Sequence, residues 1–129
     1  MADYTPIYDG GVNPFTATTS AAVTGGRLLA VSGAGTVAHA AADSLAVVGV
    51  AAHDAASGGR VTVWPMDNCI HELLSTGAIT ASATAGVVAD TNGQVKAATI
   101  ATAAAAGSLV GVAMTTVAGA ALVRVMGKN

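Results

Sequence analysis

One short string occurs twice: Val48-Gly49-Val50-Ala51 returns as Val110-Gly111-Val112-Ala113, 62 residues further on. At the same offset Val61-Thr62-Val63 meets Val123-Arg124-Val125, with no gap between the two matches. Two matches in one register define a repeat, and whatever the first copy folds into must recur in the second. Small gaps extend the match upstream. Thr24-Gly25-Gly26-Arg27-Leu28-Leu29 aligns with Thr84-Ala85-Gly86-Val87-Val88-Ala89, and Val37-Ala38-His39-Ala40 with Val95-Lys96-Ala97-Ala98. The chain therefore reads as two tandem related units, spanning about 20–65 and 80–127.

Each unit carries the same order of signals: a Thr-[Gly/Ala]-Gly turn, a short apolar strand, a glycine turn, a Val-led return strand, an Ala-rich connection, a buried Val-Gly-Val-Ala strand and a final alternating strand. Asn92-Gly93 suits a tight hairpin turn, whose two central positions need positive φ. Val61-Thr62-Val63-Trp64 and Leu122-Val123-Arg124-Val125-Met126 alternate with the period of a strand. Composition agrees: 16 Gly and 15 Thr favour turns and pleated strands, whereas Glu, Lys, Arg and Leu, the builders of stable surface helices, are scarce. Of the 68 hydrophobic residues 31 are Ala, so the core must rest on 17 Val and the few Leu, Ile and Met. The expected fold is all-β, a small β-sandwich or β-barrel built from the two units, related by a rough two-fold and sharing one core. Residues 15–129 form that single β domain, and residues 1–14 an extended N-terminal arm broken by Pro6, Asp9-Gly10-Gly11 and Asn13-Pro14. Two stretches are ambiguous. The Ala-rich run 97–106 favours a short helix that Thr99, Ile100 and Thr102 weaken, and the least repetitive segment, 65–80, is expected to hold a strand from Cys69 to Leu73.

Charge removes several classes of partner. Five basic residues against seven acidic ones give a formal −2, and Arg27, Arg60, Lys96, Arg124 and Lys128 are scattered, which argues against nucleic acid and an anionic membrane. At 9% charged residues the surface must be largely Ala, Thr, Ser and Gly, as befits a protein covered by neighbours. The 27 uncharged residues between Lys96 and Arg124 contain four Thr, a Ser and three Gly, too polar to drive membrane insertion. No secretory signal is expected from the opening residues, and the single Cys69 excludes an internal disulfide.

The candidates for chemistry are few. Cys69-Ile70-His71-Glu72 supplies at most two metal ligands and no oxyanion-hole turn, so Cys69 is expected to be half-buried beside an exposed or edge His71. His53-Asp54 could form an acid–base pair, but Thr115-Thr116 take its place in the second unit, which favours a surface loop. Gly33-Ala34-Gly35 and Gly58-Gly59 lack the helix and Lys-Ser/Thr continuation of a phosphate cradle and read as turns. Arg27, Arg60 and Arg124 flank strands, either as partner contacts or as solvated charges that guard edges. No catalytic residue, cofactor or metal is expected. The arm instead concentrates aromatic and apolar anchors, and Tyr4, Pro6, Ile7, Tyr8 and Phe15 are expected to contact a neighbouring molecule.

The opening Met-Ala-Asp-Tyr-Thr-Pro-Ile-Tyr, the segment Phe15-Thr16-Ala17-Thr18 through Ala21-Ala22-Val23-Thr24-Gly25-Gly26, the strand Val47-Val48-Gly49-Val50-Ala51, and the close Gly111-Val112-Ala113 through Ala121-Leu122-Val123-Arg124-Val125-Met126 resemble, in that order, the capsid decoration proteins of tailed bacteriophages. The likeness is to the small Ala/Gly/Val-rich kind common in phages of actinobacteria. It implies a cement protein, often trimeric, made in the host cytoplasm and carried on the outer surface of the virion head. There it would clamp neighbouring major capsid subunits and stabilise the expanded shell. Only the segment around Cys69-Ile70-His71 departs from the pattern. The competing readings are a repeat module of a phage tail fibre or surface-layer protein and, third, a small Cys/His hydrolase.

Overall fold

The computed structural model describes residues 3–128; Met1 and Ala2 of the arm, and Asn129, lie outside the described residues. Among the described residues the fold is all-β with one short α-helix and a single 3-10 turn at Thr91–Gly93. The first five strands, β1 (Phe15–Thr19), β2 (Leu28–Gly33), β3 (Thr36–His39), β4 (Val47–Ala51) and β5 (Arg60–Pro65), close into a barrel in the order β1-β3-β2-β4-β5. The next five, β6 (Ile70–Leu74), β7 (Ala85–Ala89), β8 (Val95–Thr99), β9 (Leu109–Ala113) and β10 (Leu122–Gly127), form a sheet in the order β6-β10-β9-β7-β8. Helix α1 (Ile100–Ala106) connects β8 to β9.

The duplication holds at the level of the ladders. β2 pairs with β3 and β4, and β4 with β5, all antiparallel; β7 pairs with β8 and β9, and β9 with β10, in the same sense. Even an irregularity is copied, because the register of β2 on β4 slips between Leu29 and Ala30 and that of β7 on β9 between Val87 and Val88. These ladders superpose Leu28-Leu29-Ala30 on Gly86-Val87-Val88, two residues away from the sequence alignment given above. An even slip keeps every side chain on its own face, so the hydrophobic pattern alone could not reveal it.

The duplicated unit is also longer than the sequence match. β1 runs antiparallel to β5 and meets β3 in parallel at Thr19–Val37. β6 runs antiparallel to β10 and meets β8 in parallel at Ser75–Val95, a single bridge that brings the edges of the second sheet together. The central segment is thus the counterpart of β1. Its strand begins at Ile70, one residue later than expected.

Two clusters of side chains replace the single expected core. Val23, Leu29, Val37, Ala51, Val61 and Val63 fill the first barrel. Their counterparts Ile79, Val87, Val95, Ala113, Val123 and Val125 fill the second unit, in a larger cluster that also takes in Leu28, Ala30, Ala40, Val50 and Met66 from the first. Each fully buried Val removes enough apolar surface from water to stabilise the fold by about 1.5–3 kcal/mol.

The packing of the units is one-sided rather than two-fold. The β7–β8 turn places Asn92 (φ 57°) and Gly93 (φ 71°) in the left-handed region, as Asn-Gly predicts. Gly93 then seats against the first unit, its N–H donating to Ala40 O at 3.0 Å while Arg27 Nη1 donates to Asn92 O at 2.9 Å. The equivalent tip of the first unit, Ala34-Gly35, is unopposed, with no atom within 4 Å of the place where a Gly35 Cβ would stand. On the second unit the face equivalent to Leu28 is closed by the chain itself: a Cβ on Gly86 would lie 3.3 Å from Ile100 Cα of α1.

Candidate interaction surface

The arm is docked by its backbone. Tyr4 N–H donates to Ala52 O at 2.7 Å, Ile7 N–H to Ile70 O at 2.9 Å, and Ile70 N–H to Tyr8 O at 2.8 Å, so the arm runs along the outer edge of β6. Its side chains divide into two kinds. Tyr4 turns inward, packs against the larger core cluster and stacks on His71 with ring centroids 5.8 Å apart. Pro6 is half-buried. Ile7 and Tyr8 stay 48% and 58% exposed, which leaves them free to meet another molecule. Phe15, opening β1 opposite Val63, is also exposed and lines a shallow depression of about 270 Å³ with Ala17, Val31 and Val48.

His71 sits on β6 at the edge of its sheet, as one expected alternative had it, but it is fully buried, as is Cys69, which corrects the expectation of an exposed histidine beside a half-buried thiol. The inward-facing positions of β6 alternate, and register opposite Val125 of β10 puts His71 on the core side. His71 Nε2 lies 2.8 Å from Pro65 O, and Nδ1 lies 2.7 Å from Tyr4 Oη. A carbonyl only accepts, so Nε2 carries the proton and Nδ1 accepts from the tyrosine hydroxyl. Tyr4 Oη in turn accepts the Glu72 N–H at 3.1 Å. Burial is the main cause that pushes His71 below the ordinary histidine range and Tyr4 well above the ordinary tyrosine range. The Cys69 thiol donates to Asp9 O at 3.5 Å and is pushed up by burial, then by Asp9 and Asp67. A raised thiol turned onto a backbone carbonyl is a poor nucleophile.

Both nitrogens of the His53 ring engage backbone groups. His53 Nδ1 bonds the Asp54 backbone carbonyl at 2.8 Å, and its Nε2 takes the Thr62 N–H at 3.2 Å. Asp54 Oδ1 accepts the Gly25 N–H at 2.9 Å, fixing a turn. Arg27 reaches across to the second unit, and Arg124 Nε stands 3.7 Å from Glu72 Oε2, while Arg60 is exposed at the start of β5. Among the described residues, no group of three or more His, Cys, Asp or Glu is placed to hold a metal ion. No helix among them is long and apolar enough to cross a membrane.

One exposed feature escaped the sequence reading. Leu45 is 70% exposed at the rim of a groove of about 600 Å³ lined by Val88, Thr99, Ala103 and Ala106, with the Lys96–Asp43 ion pair (3.1 Å) beside it. The signal was present as one large apolar residue in a connection otherwise made of Ala, Asp and Ser.

No protein-family model matches the chain, and no curated protein matches it. Among solved structures it is similar to the N base of head fiber gp8.5 of bacteriophage phi29, with a TM-score of 0.67 and 19% identity. The likeness covers 90% of this chain and 93% of the other. The two chains share a fold. Because nearly all of each chain is superposed, the similarity takes in both units of the duplication and not one barrel alone.

Proposed function

We propose that this chain is a non-catalytic structural protein of a tailed-phage virion, which binds the outer surface of the head. In this reading it acts as a homotrimer that clamps neighbouring major capsid subunits and stabilises the expanded shell. The observation that carries it is the end-to-end likeness to the base of a phage head fiber. The surface supports it too. Charge is sparse, Cys69 and the three histidines are engaged in bonds within the fold, and Ile7, Tyr8 and Phe15 offer apolar anchors of the kind that dominate protein interfaces. Tyr4, being occupied within the fold, contributes by holding the arm in place.

A second reading, favoured by the identity of the structural neighbour, is that the chain seats a fiber on the head instead of cementing it. Both are tested by adding the purified protein to phage heads that lack it, imaging them by electron microscopy, and heating them until DNA escapes. Added density at three-fold positions with a higher release temperature supports the clamp. Density without that gain favours the fiber seat, and no added density sinks both readings. Replacing Ile7, Tyr8 and Phe15 together by Ser is expected to lower occupancy severalfold.

A further inference from the structure

We propose that residues 3–8 are a strap that stays docked on β6 while His71 is neutral and lets go when His71 takes a proton, held at its far end by Asp9 and Gly10. This inference does not depend on the functional reading above.

The strap has one buried anchor. Ile7 and Tyr8 leave about half of their surface in solvent and are held there through backbone bonds to Ile70. Tyr4 alone inserts into the core, and its hydroxyl is fully used by His71 and the Glu72 N–H. That arrangement works only with a neutral ring. Pro65 O claims the proton on Nε2, so Nδ1 must be the bare nitrogen that receives the Tyr4 O–H. A second proton, on Nδ1, would aim two N–H donors at the same hydroxyl oxygen and leave the hydroxyl proton without its acceptor. It would also place a positive charge where the imidazole has no exposed surface.

The surroundings give that charge no direct partner. From the arm the ring is faced by Tyr4, and from its own strand by Glu72, whose carboxylate is directed toward Arg124 on β10. The preceding turn contributes the Cys69 thiol, with Asp67 and, from the end of the arm, Asp9 acting on it. Among the described residues neither ring nitrogen bonds a carboxylate. Burial accordingly depresses the basicity of His71, placing the change below the ordinary histidine range.

The far end is held independently of the ring. Gly10 has φ 59°, and a Cβ there would overlap the Asn68 carbonyl oxygen, so the chain at Gly10 is pressed onto the 66–69 turn. The Cys69 Sγ–H bond to Asp9 O secures the same place. Release therefore stops at Asp9.

The test is NMR on the full chain. It follows the His71 ring through a pH titration together with the hydrogen exchange of the Tyr4, Ile7, Tyr8 and Ile70 amides, corrected for the intrinsic effect of pH. Protection at these four is expected to fall at least about tenfold as His71 protonates, one pKa unit being tenfold, while Val87 and Val123 keep theirs. Tyr4→Phe should lose about tenfold already at neutral pH and show no further step. His71→Gln, whose amide can donate to Pro65 O and accept from Tyr4, should hold the strap across the range. The proposal is overturned if His71 stays neutral down to about pH 5, well below the ordinary histidine value. It is equally overturned if the four amides stay protected once the ring is charged, if all amides are lost together, or if Tyr4→Phe behaves as the parent does.

Discussion

Gly49 and Gly111 explain why the repeat is most visible where it is. A Cβ on Gly49 would strike the Trp64 carbonyl oxygen and come within 2.8 Å of Val63 Cγ1, and one on Gly111 would strike the Met126 carbonyl oxygen in the same way. The Val-Gly-Val-Ala string is therefore held to glycine by close strand approach, not by a turn. Either Gly→Ala substitution is expected to cost about 2 kcal/mol or more, since backbone must move to admit the methyl group. Urea unfolding would show this as a lower midpoint at unchanged slope. The histidines set a second residue-scale expectation. Burial lowers His71, and burial followed by the Arg27 charge lowers His39. Both are neutral in the fold, so the unfolded chain takes up protons first as pH falls. Their contribution is complete above the unfolded value of about 6.5 and is lost progressively below it, at about 1.4 kcal/mol per unit of depression for the buried His71 and less for the part-exposed His39, where solvent screens the charge. Urea midpoints should fall between about pH 7 and pH 5, and His71→Gln should flatten part of that slope.

Among the elements, β1 and β6 show what pattern could and could not reveal. A buried hydroxyl, the last residue of β1 and the first after β6, ties each to the hairpin beyond: Thr19 Oγ1 donates to Ala56 O at 2.6 Å, and Ser75 Oγ lies 3.1 and 3.0 Å from Gly119 O and Ala121 O. Thr19→Val and Ser75→Ala are each expected to cost about 1–2 kcal/mol, and the two losses to add, since the two hydroxyls share no bonding partner. Thermal unfolding of the two single variants and the double would decide this. The equivalence was legible only in fragments, as Thr19-Ser20 against Ser75-Thr76 and Val23-Thr24 against Ile79-Thr80, because the preceding residues of the two strands, Phe15-Thr16-Ala17-Thr18 and His71-Glu72-Leu73-Leu74, have nothing in common. Leu122 through Met126 alternated plainly enough to be read as a strand, whereas His71 looked like a surface residue because its partners, Tyr4 and Pro65, come from other elements. Helix α1 was half legible: Ala favoured it, but Ala97 and Ala98 went to β8, where pairing with Val87 and Gly86 satisfies their backbone.

The whole molecule is bound through its seam. Leu28, Ala30, Val50 and Met66 of the first unit belong to the same cluster as the interior of the second, so neither unit keeps its buried surface alone. Trp64 fluorescence, reporting on the first unit, and amide exchange in β7–β9, reporting on the second, are expected to give one coincident transition in urea. Non-coincident curves would mean that the seam is weaker than its burial implies. The all-β class and the tandem units were readable because they depend on period and on glycine spacing. The one-sided docking was not, because it is decided by α1, a short insertion with no counterpart in the first unit. A unit that offers a tip at one end and a receiving face at the other has the geometry of an endless head-to-tail filament. By laying α1 over the second receiving face, the chain writes its own full stop, in the connection where the second copy is four residues longer than the first.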